Sequence, residues 1–307
     1  MKFVSLIVNP HAGRGQGAEA GRQAATVLRR GGWKVELHET QSPYDTRPLV
    51  RRAREAGPDC VVAVGGDGTL HEVLNALHDG PGKPPALGLI PVGGGNDYAR
   101  MLEIPANDPE RAAQRLLASV ERRVDLGRLE GADHGTELFL NNVGLAYMAA
   151  ANAARESTRF LPGKLGYLAA GALAFAQWKP ARLLLSVDGV EQTGAFLIVH
   201  VALGRYCGAG IELTPDSSLD GGRFHVFVSS APSRVRGLLD WGKVSKGEPT
   251  PDTAIVEGRR VRITGPRGFV LHADGEVRHA TTGVLEVTLL PGAGRLWAPP
   301  EPARPLG

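Results

Sequence analysis

The chain has 307 residues, 42% of them hydrophobic and 22% charged, with a formal net charge of +3. That composition is globular rather than disordered, the length suits two packed domains, and the mild charge excludes the dense basic stripes of nucleic-acid binding. Two cysteines, Cys60 and Cys207, make neither a disulfide framework nor a metal cluster and imply a reducing, cytoplasmic setting.

The first residues, Met1-Lys2-Phe3, run straight into a strand, and no stretch reaches the roughly 18 uninterrupted apolar residues of a membrane span. Residues 3–8 read as a buried strand, 18–30 as a helix ended by Gly31-Gly32, and 33–38 as a second strand. A helix over 46–56, a strand over 60–64, a helix over 70–77 and a strand over 86–91 follow. Unbroken apolar strands separated by helices indicate a parallel sheet covered on both faces. Near Val124-Asp125-Leu126-Gly127 the character changes. Short β-rich runs follow at 137–142, 181–188, 195–203, 223–229, 259–264, 269–272 and 284–290, punctuated by Gly, Pro and Asp turns. They predict an antiparallel β-sandwich. One helix over 164–178 interrupts them, and 298–307 reads as a Pro-rich tail. The expected division is an α/β nucleotide-binding domain over 1–124, to which 291–307 returns, and a sandwich domain over 125–290.

Three loops at strand ends carry the chemistry. Gly65-Gly66-Asp67-Gly68-Thr69 lies between an apolar strand and a helix. In a parallel sheet that is the carboxyl end, where ligands bind. Its glycines let backbone amides approach phosphate oxygens, and a helix N-terminus favours anions. Asp67 is suited to hold Mg²⁺ and Thr69 to donate a hydroxyl. Gly93-Gly94-Gly95-Asn96-Asp97 repeats the arrangement at the next strand, with Asn96 and Asp97 as helix caps. In the first loop, Gly13-x-Gly15-x-x-Ala18 fits a dinucleotide fingerprint, with Glu36 or Glu39 downstream. Four residues separate it from the strand end, which weakens that reading. No G-x-x-x-x-G-K-[ST] occurs, so this is not a P-loop protein. Asp274-Gly275-Glu276 follows a late strand and offers a carboxylate as general base.

Taken in order, these stretches resemble the bacterial diacylglycerol kinase family, related to the sphingosine and ceramide kinases. The resemblance rests on Val8-Asn9-Pro10 with Gly13, the Gly65–Thr69 loop with Glu72 and Asn75, and residues 91–100. It continues through residues 124–127, Asn142-Val143-Gly144, Lys164-Leu165-Gly166-Tyr167, Gly208-Ala209-Gly210 with Pro215, and Asp274-Gly275-Glu276. It implies an N-terminal domain of the phosphofructokinase/NAD-kinase type, a C-terminal β-sandwich, and an ATP-dependent lipid kinase. Asn9, Arg14, Gly65, Gly66, Asp67, Gly68, Thr69, Gly93, Gly94, Gly95 and Asn96 would then contact ATP, together with Asp274 and Gly275. Glu276 would take the acceptor's proton, Asp67 would organise Mg²⁺, and Asp220 would contribute to a second Mg²⁺ site. Arg14 and either Arg155 or Lys164 become phosphate neighbours, and the helix over 164–178 with nearby apolar surface helps admit a lipid tail. The implied setting is cytoplasmic and peripheral to the inner membrane surface, with transient membrane contact; a homodimer through a sheet edge stays open.

Three departures from the family pattern stand out. Gly94 replaces a hydroxyl-bearing residue; His71 stands where Asn is common and reads as a helix-surface substitution; and Leu219-Asp220-Gly221-Gly222 carries one acidic residue where two are usual. Residues 145–150 lack the carboxylate with which sphingosine-type members hold an amino alcohol, which favours a glycerolipid acceptor. An NAD kinase and a nucleotide- or lipid-binding regulator without turnover remain as alternatives.

Overall fold

The computed structural model describes residues 1–300 apart from 43, 159, 162, 178–180, 231–235, 237–239 and 241. Two compact units divide the chain: Met1–Val124 with Gly294–Gly307, described to residue 300, and Asp125–Ala293.

In the first unit, strands alternate with helices: β1 (Phe3–Val8), α1 (Ala12–Gly15), α2 (Gly17–Arg30), β2 (Lys34–Glu39), α3 (Thr46–Glu55) and β3 (Cys60–Gly65). α4 (Asp67–His78), β4 (Ala86–Pro91), α5 (Asp97–Met101) and α6 (Pro109–Leu117) follow. The strands stand in the order β2-β1-β3-β4 and are parallel throughout. Every residue of β3 and β4 is buried, because helices cover both faces of the sheet; hence their unbroken apolar runs. α5 is the short helix expected after Asn96-Asp97, whereas α6, which buries Ala112, Ala113 and Leu116 on one face, was not expected from sequence. α6 starts where Pro109 follows Asp108, whose carboxylate accepts the Arg111 amide at 3.1 Å. The returning C-terminal segment pairs Leu296 in parallel with Leu87 of β4. It is fastened by Trp297 against Trp33 (centroids 5.2 Å apart) and by two hydrogen bonds from Arg295 to Glu121, at 2.7 and 2.6 Å.

The second unit holds most of β5 (Val120–Ala132), then β6 (Gly135–Phe139), β7 (Asn142–Ala146), α7 (Tyr147–Ser157), α8 (Gly163–Gln177), β8 (Ala181–Val187) and β9 (Val190–Phe196). There follow β10 (Ile198–Ala202), β11 (Tyr206–Cys207), β12 (Ile211–Glu212), β13 (Phe224–Ser229), β14 (Thr253–Gly258), β15 (Arg260–Thr264), β16 (Val270–Ala273), β17 (Glu276–His279) and the first two thirds of β18 (Val284–Ala298), whose end belongs to the first unit. One antiparallel sheet has the order β14-β13-β10-β7-β16-β17. The opposing layer runs β18-β15-β8-β9, with β5 paired to β6. Val143, Leu145, Val199, Val201 and Leu271 of the first sheet share one core with Leu183, Leu185, Val261, Ile263 and Leu285 of the other. This is the antiparallel sandwich that the alternating runs predict. Strand alternation then turns Gly144, His200 and His272 to the opposite face, where α7 packs on β7 and β16.

Several sequence expectations need correction. The run 137–142 is not one strand: it breaks at Leu140-Asn141, where the backbone amides turn to a carboxylate. The single helix over 164–178 is α8, ending at Gln177, and it is preceded by α7, which the Ala-rich stretch concealed. The change of character near 124–127 falls inside the continuous strand β5. Trp178 and residues 301–307 lie outside the described residues.

Candidate functional site

The first unit brings its three loops together at the carboxyl ends of β1, β3 and β4. Asn9 follows β1 and donates its amide to the Val64 carbonyl of β3 at 3.0 Å. Its side chain accepts the His11 amide at 3.0 Å and donates to the Thr69 hydroxyl at 3.2 Å. Asn9 thus joins the first loop to the second. Thr69 in turn folds back over Gly65: a Cβ at position 65 would stand 2.4 Å from the Thr69 hydroxyl oxygen, so only glycine fits there. Gly13, Arg14 and Gly15 form a left-handed run (φ 58°, 64° and 88°), with Arg14 exposed.

Asp67 opens α4, and its carboxylate reaches into the neighbouring loop. It accepts the amides of Asp97 and Tyr98, the first residues of α5, at 3.3 Å each. The capping role expected of Asn96 and Asp97 therefore falls to Asp67, thirty residues away; Asn96 adopts a left-handed backbone (φ 53°) and makes no side-chain cap bond. Gly66 and Gly93 approach closely, a Cβ at 93 standing 3.2 Å from the Gly66 Cα. Asn107 holds this loop in a way nothing in the sequence advertises. Its side chain accepts the Gly93 amide at 2.9 Å and donates to the Gly93 carbonyl at 3.1 Å. Gly93 therefore directs its own N–H to protein. The Asn96 amide donates to the same carbonyl at 2.9 Å.

In the second unit, Asp274 and Gly275 form the two-residue connection of the β16–β17 hairpin, with Ala273 paired to Glu276. Both have positive φ, 49° and 95°, as a type I′ turn requires. The Asp274 carboxylate accepts the amides of Leu140, Asn141 and Asn142 at 3.0, 2.8 and 3.0 Å. That explains the broken strand at 140–141, and it commits Asp274 to holding the hairpin. Glu276, half-buried, is the first residue of β17. Two residues on, Arg278 forms a buried ion pair with Glu137, its Nε lying 3.1 Å from both carboxylate oxygens. Glu276 is thus carried on a hairpin fastened at both ends.

Other sequence expectations land differently. His71 is not on a helix surface. It is 3% exposed, with the Asn75 amide 3.4 Å from its Nε2 and 3.0 Å from its carbonyl. Asp220 is exposed, and the buried carboxylate of that region is Asp125, which accepts the amides of Gly222 and Gly292 at 2.6 and 2.8 Å. Among the described residues no group of three or more His, Cys, Asp or Glu is arranged to hold a metal ion. Arg155 packs against Gly166 where α7 meets α8. Cys60 and Cys207 are buried free thiols, and burial pushes Cys60 well above the usual thiol range.

Comparisons with known proteins cover both units. Residues 4–129 match the family model of the diacylglycerol kinase catalytic domain, and residues 141–298 that of the YegS C-terminal NAD kinase beta sandwich-like domain. A protein of Pseudomonas fluorescens Pf-5 named "Probable lipid kinase YegS-like" is 32% identical over 284 residues, 91% of each chain. The diacylglycerol kinase of Bacillus subtilis strain 168 is 28% identical over 285 residues, 90% of each. A solved diacylglycerol kinase structure from Bacillus anthracis Sterne shares the fold, with a TM-score of 0.73 over 97% of both chains at 21% identity. With both of its units matched in order and a relative above 30% identity along nearly its whole length, the chain belongs to the diacylglycerol kinase family of phosphotransferases, together with the YegS-like lipid kinases.

Proposed function

We propose that this protein transfers the γ-phosphoryl group of ATP to the hydroxyl of a lipid alcohol, with a glycerolipid such as diacylglycerol as acceptor. The observation that supports this best is the Asp67 carboxylate spanning two glycine loops at adjacent strand ends of a parallel sheet. The cradle suits a polyphosphate: Gly65, Gly66 and Gly93 leave backbone where side chains would otherwise stand. ATP supplies the phosphoryl group and the ADP leaving group. Asn9 and Thr69 orient the phosphates through the hydrogen bond that already joins them. Asp67, whose carboxylate spans the two glycine loops, would hold Mg²⁺ against the chain. Glu276 accepts the acceptor's hydroxyl proton as that oxygen attacks, a contribution worth roughly 10²–10⁴-fold.

The first turn of α7 carries no acidic residue, so nothing there would balance the charge of an amino alcohol. A neutral glycerolipid fits better. Phe160, Leu165 and Leu168 are exposed apolar side chains beside or on α8, consistent with transient contact at the inner membrane surface from the cytoplasm. No helix among the described residues is long and apolar enough to cross a membrane.

The direct test supplies γ-labelled ATP with a total lipid extract, and separately with NAD. Label in an organic-extractable lipid phosphate is expected. Label in NADP, or in neither, overturns the proposal. Glu276→Gln should cut lipid phosphorylation roughly 10²–10⁴-fold to a small residual rate while ATP binding persists.

A further inference from the structure

His200, Gly144 and His272 stand in one row across three neighbouring strands, Gly144 of β7 paired with His200 of β10 on one side and His272 of β16 on the other. Both histidines are buried, 0% and 2% exposed, on the face turned away from the sandwich core. A Cβ on Gly144 would lie 2.1 Å from His272 Nε2, so the ring occupies the space that a side chain at 144 would fill. On its other edge, His272 Nδ1 accepts the Gly275 amide at 3.2 Å. That bond assigns the ring proton to Nε2. Gly275 immediately precedes Glu276.

Among the described residues His272 Nε2 and both His200 nitrogens have no protein partner. An apolar side chain would fill the same room without leaving buried nitrogens unpaired. What the histidine adds is one acceptor, aimed at the turn from three residues upstream. Burial pushes His272 down to about 4, against the opposing pull of Asp274, and burial together with His272 pushes His200 down to about 3. Both rings are neutral near pH 7, so Nδ1 keeps its lone pair for the Gly275 amide.

We infer that His272 is a positioning residue for Glu276, holding the Asp274-Gly275 turn through the Gly275 amide, and that Gly144 is glycine to seat the His272 ring. The inference rests on Glu276 being the base. It leaves the Asp274 contacts to hold the hairpin as a whole and gives His272 the finer setting of the carboxylate, whose displacement by about 1 Å costs on the order of 10²-fold in rate.

The experiment compares three replacements in the full chain. His272→Asn keeps an acceptor at the Nδ1 place, His272→Gln puts its amide at the Nε2 place, and His272→Leu removes both. Turnover is expected to stay near wild type in the Asn variant and to fall about ten- to hundredfold in Gln and Leu, with the KM for ATP unchanged. Adding His272→Gln to Glu276→Gln should lower the residual rate no further, because both act on one group. In the wild-type protein the Gly275 amide should be protected from hydrogen exchange near pH 7. Equal turnover in all three variants, a further loss in the double variant, or an unprotected Gly275 amide each overturns the inference. Wild-type turnover in Glu276→Gln alone instead overturns the reading of the base, which keeps the two failures apart.

Discussion

Asp67 receives two α5 amides and, in the proposed function, faces Mg²⁺, so its charge serves both roles while its shape serves mainly the first. Asp67→Asn keeps one acceptor oxygen and loses the charge. Lipid phosphorylation should fall about 10²-fold or more, while calorimetry shows Tm moved by only a few degrees. Asn107 has the opposite profile. It is exposed, so water can replace its bonds to Gly93, and Asn107→Ala should cost only about 1 kcal/mol of stability. The loop it shapes should nevertheless bind ATP less well, giving a several-fold higher KM for ATP and an unchanged KM for lipid in steady-state assays. Asn107 was invisible in the sequence because its partner is a backbone group fourteen residues away, and no spacing rule connects them.

The packing of α2 on β1 turns on glycines other than the pair that fits a dinucleotide fingerprint. A Cβ at Gly17 would lie 1.9 Å from the Asn9 carbonyl oxygen, and one at Gly21 would lie 2.8 Å from Val8. The conspicuous pair Gly13 and Gly15 shapes the loop, while Gly17 and Gly21 let the helix approach the strand. Gly17→Ala should therefore force α2 off β1, costing about 1–3 kcal/mol and several degrees of Tm. It should also weaken ATP binding in a titration, because Asn9 moves with the clash. α4 shows the same limit of a local reading. His71 looked like a surface residue, whereas the helix is buried along nearly its whole length, Thr69 to Leu77 with Glu72 excepted. A helix buried on several sides has no polar face from which to infer exposure.

The buried histidines give the protein an acid limit. With folded-state values near 4 and 3 against the ordinary 6.5, the unfolded chain binds more protons than the native one below about pH 6.5. Stability is therefore at full strength above pH 6.5 and is lost as pH falls from there toward 4 and below, by an amount on the order of a few kcal/mol. A series of melting curves should show Tm dropping through that window, and His200→Phe should flatten the drop. A slope of opposite sign would mean that these rings are charged in the native state.

The parallel sheet and the order of its elements were legible because strands covered on both faces must be apolar throughout, a property of consecutive residues. The sandwich was legible for the complementary reason, alternation. The glycine loops announced themselves because backbone that must meet phosphate or another loop excludes side chains. Tertiary structure alone decided the rest: that Asp67 caps α5, that Asp274 breaks the 137–142 run, and that His272 and His200 flank Gly144. Those contacts join residues 30 to more than 130 positions apart. Chain-local patterns record which residues are buried or exposed, whereas hydrogen bonds between distant backbone and side-chain groups depend on where folding brings them.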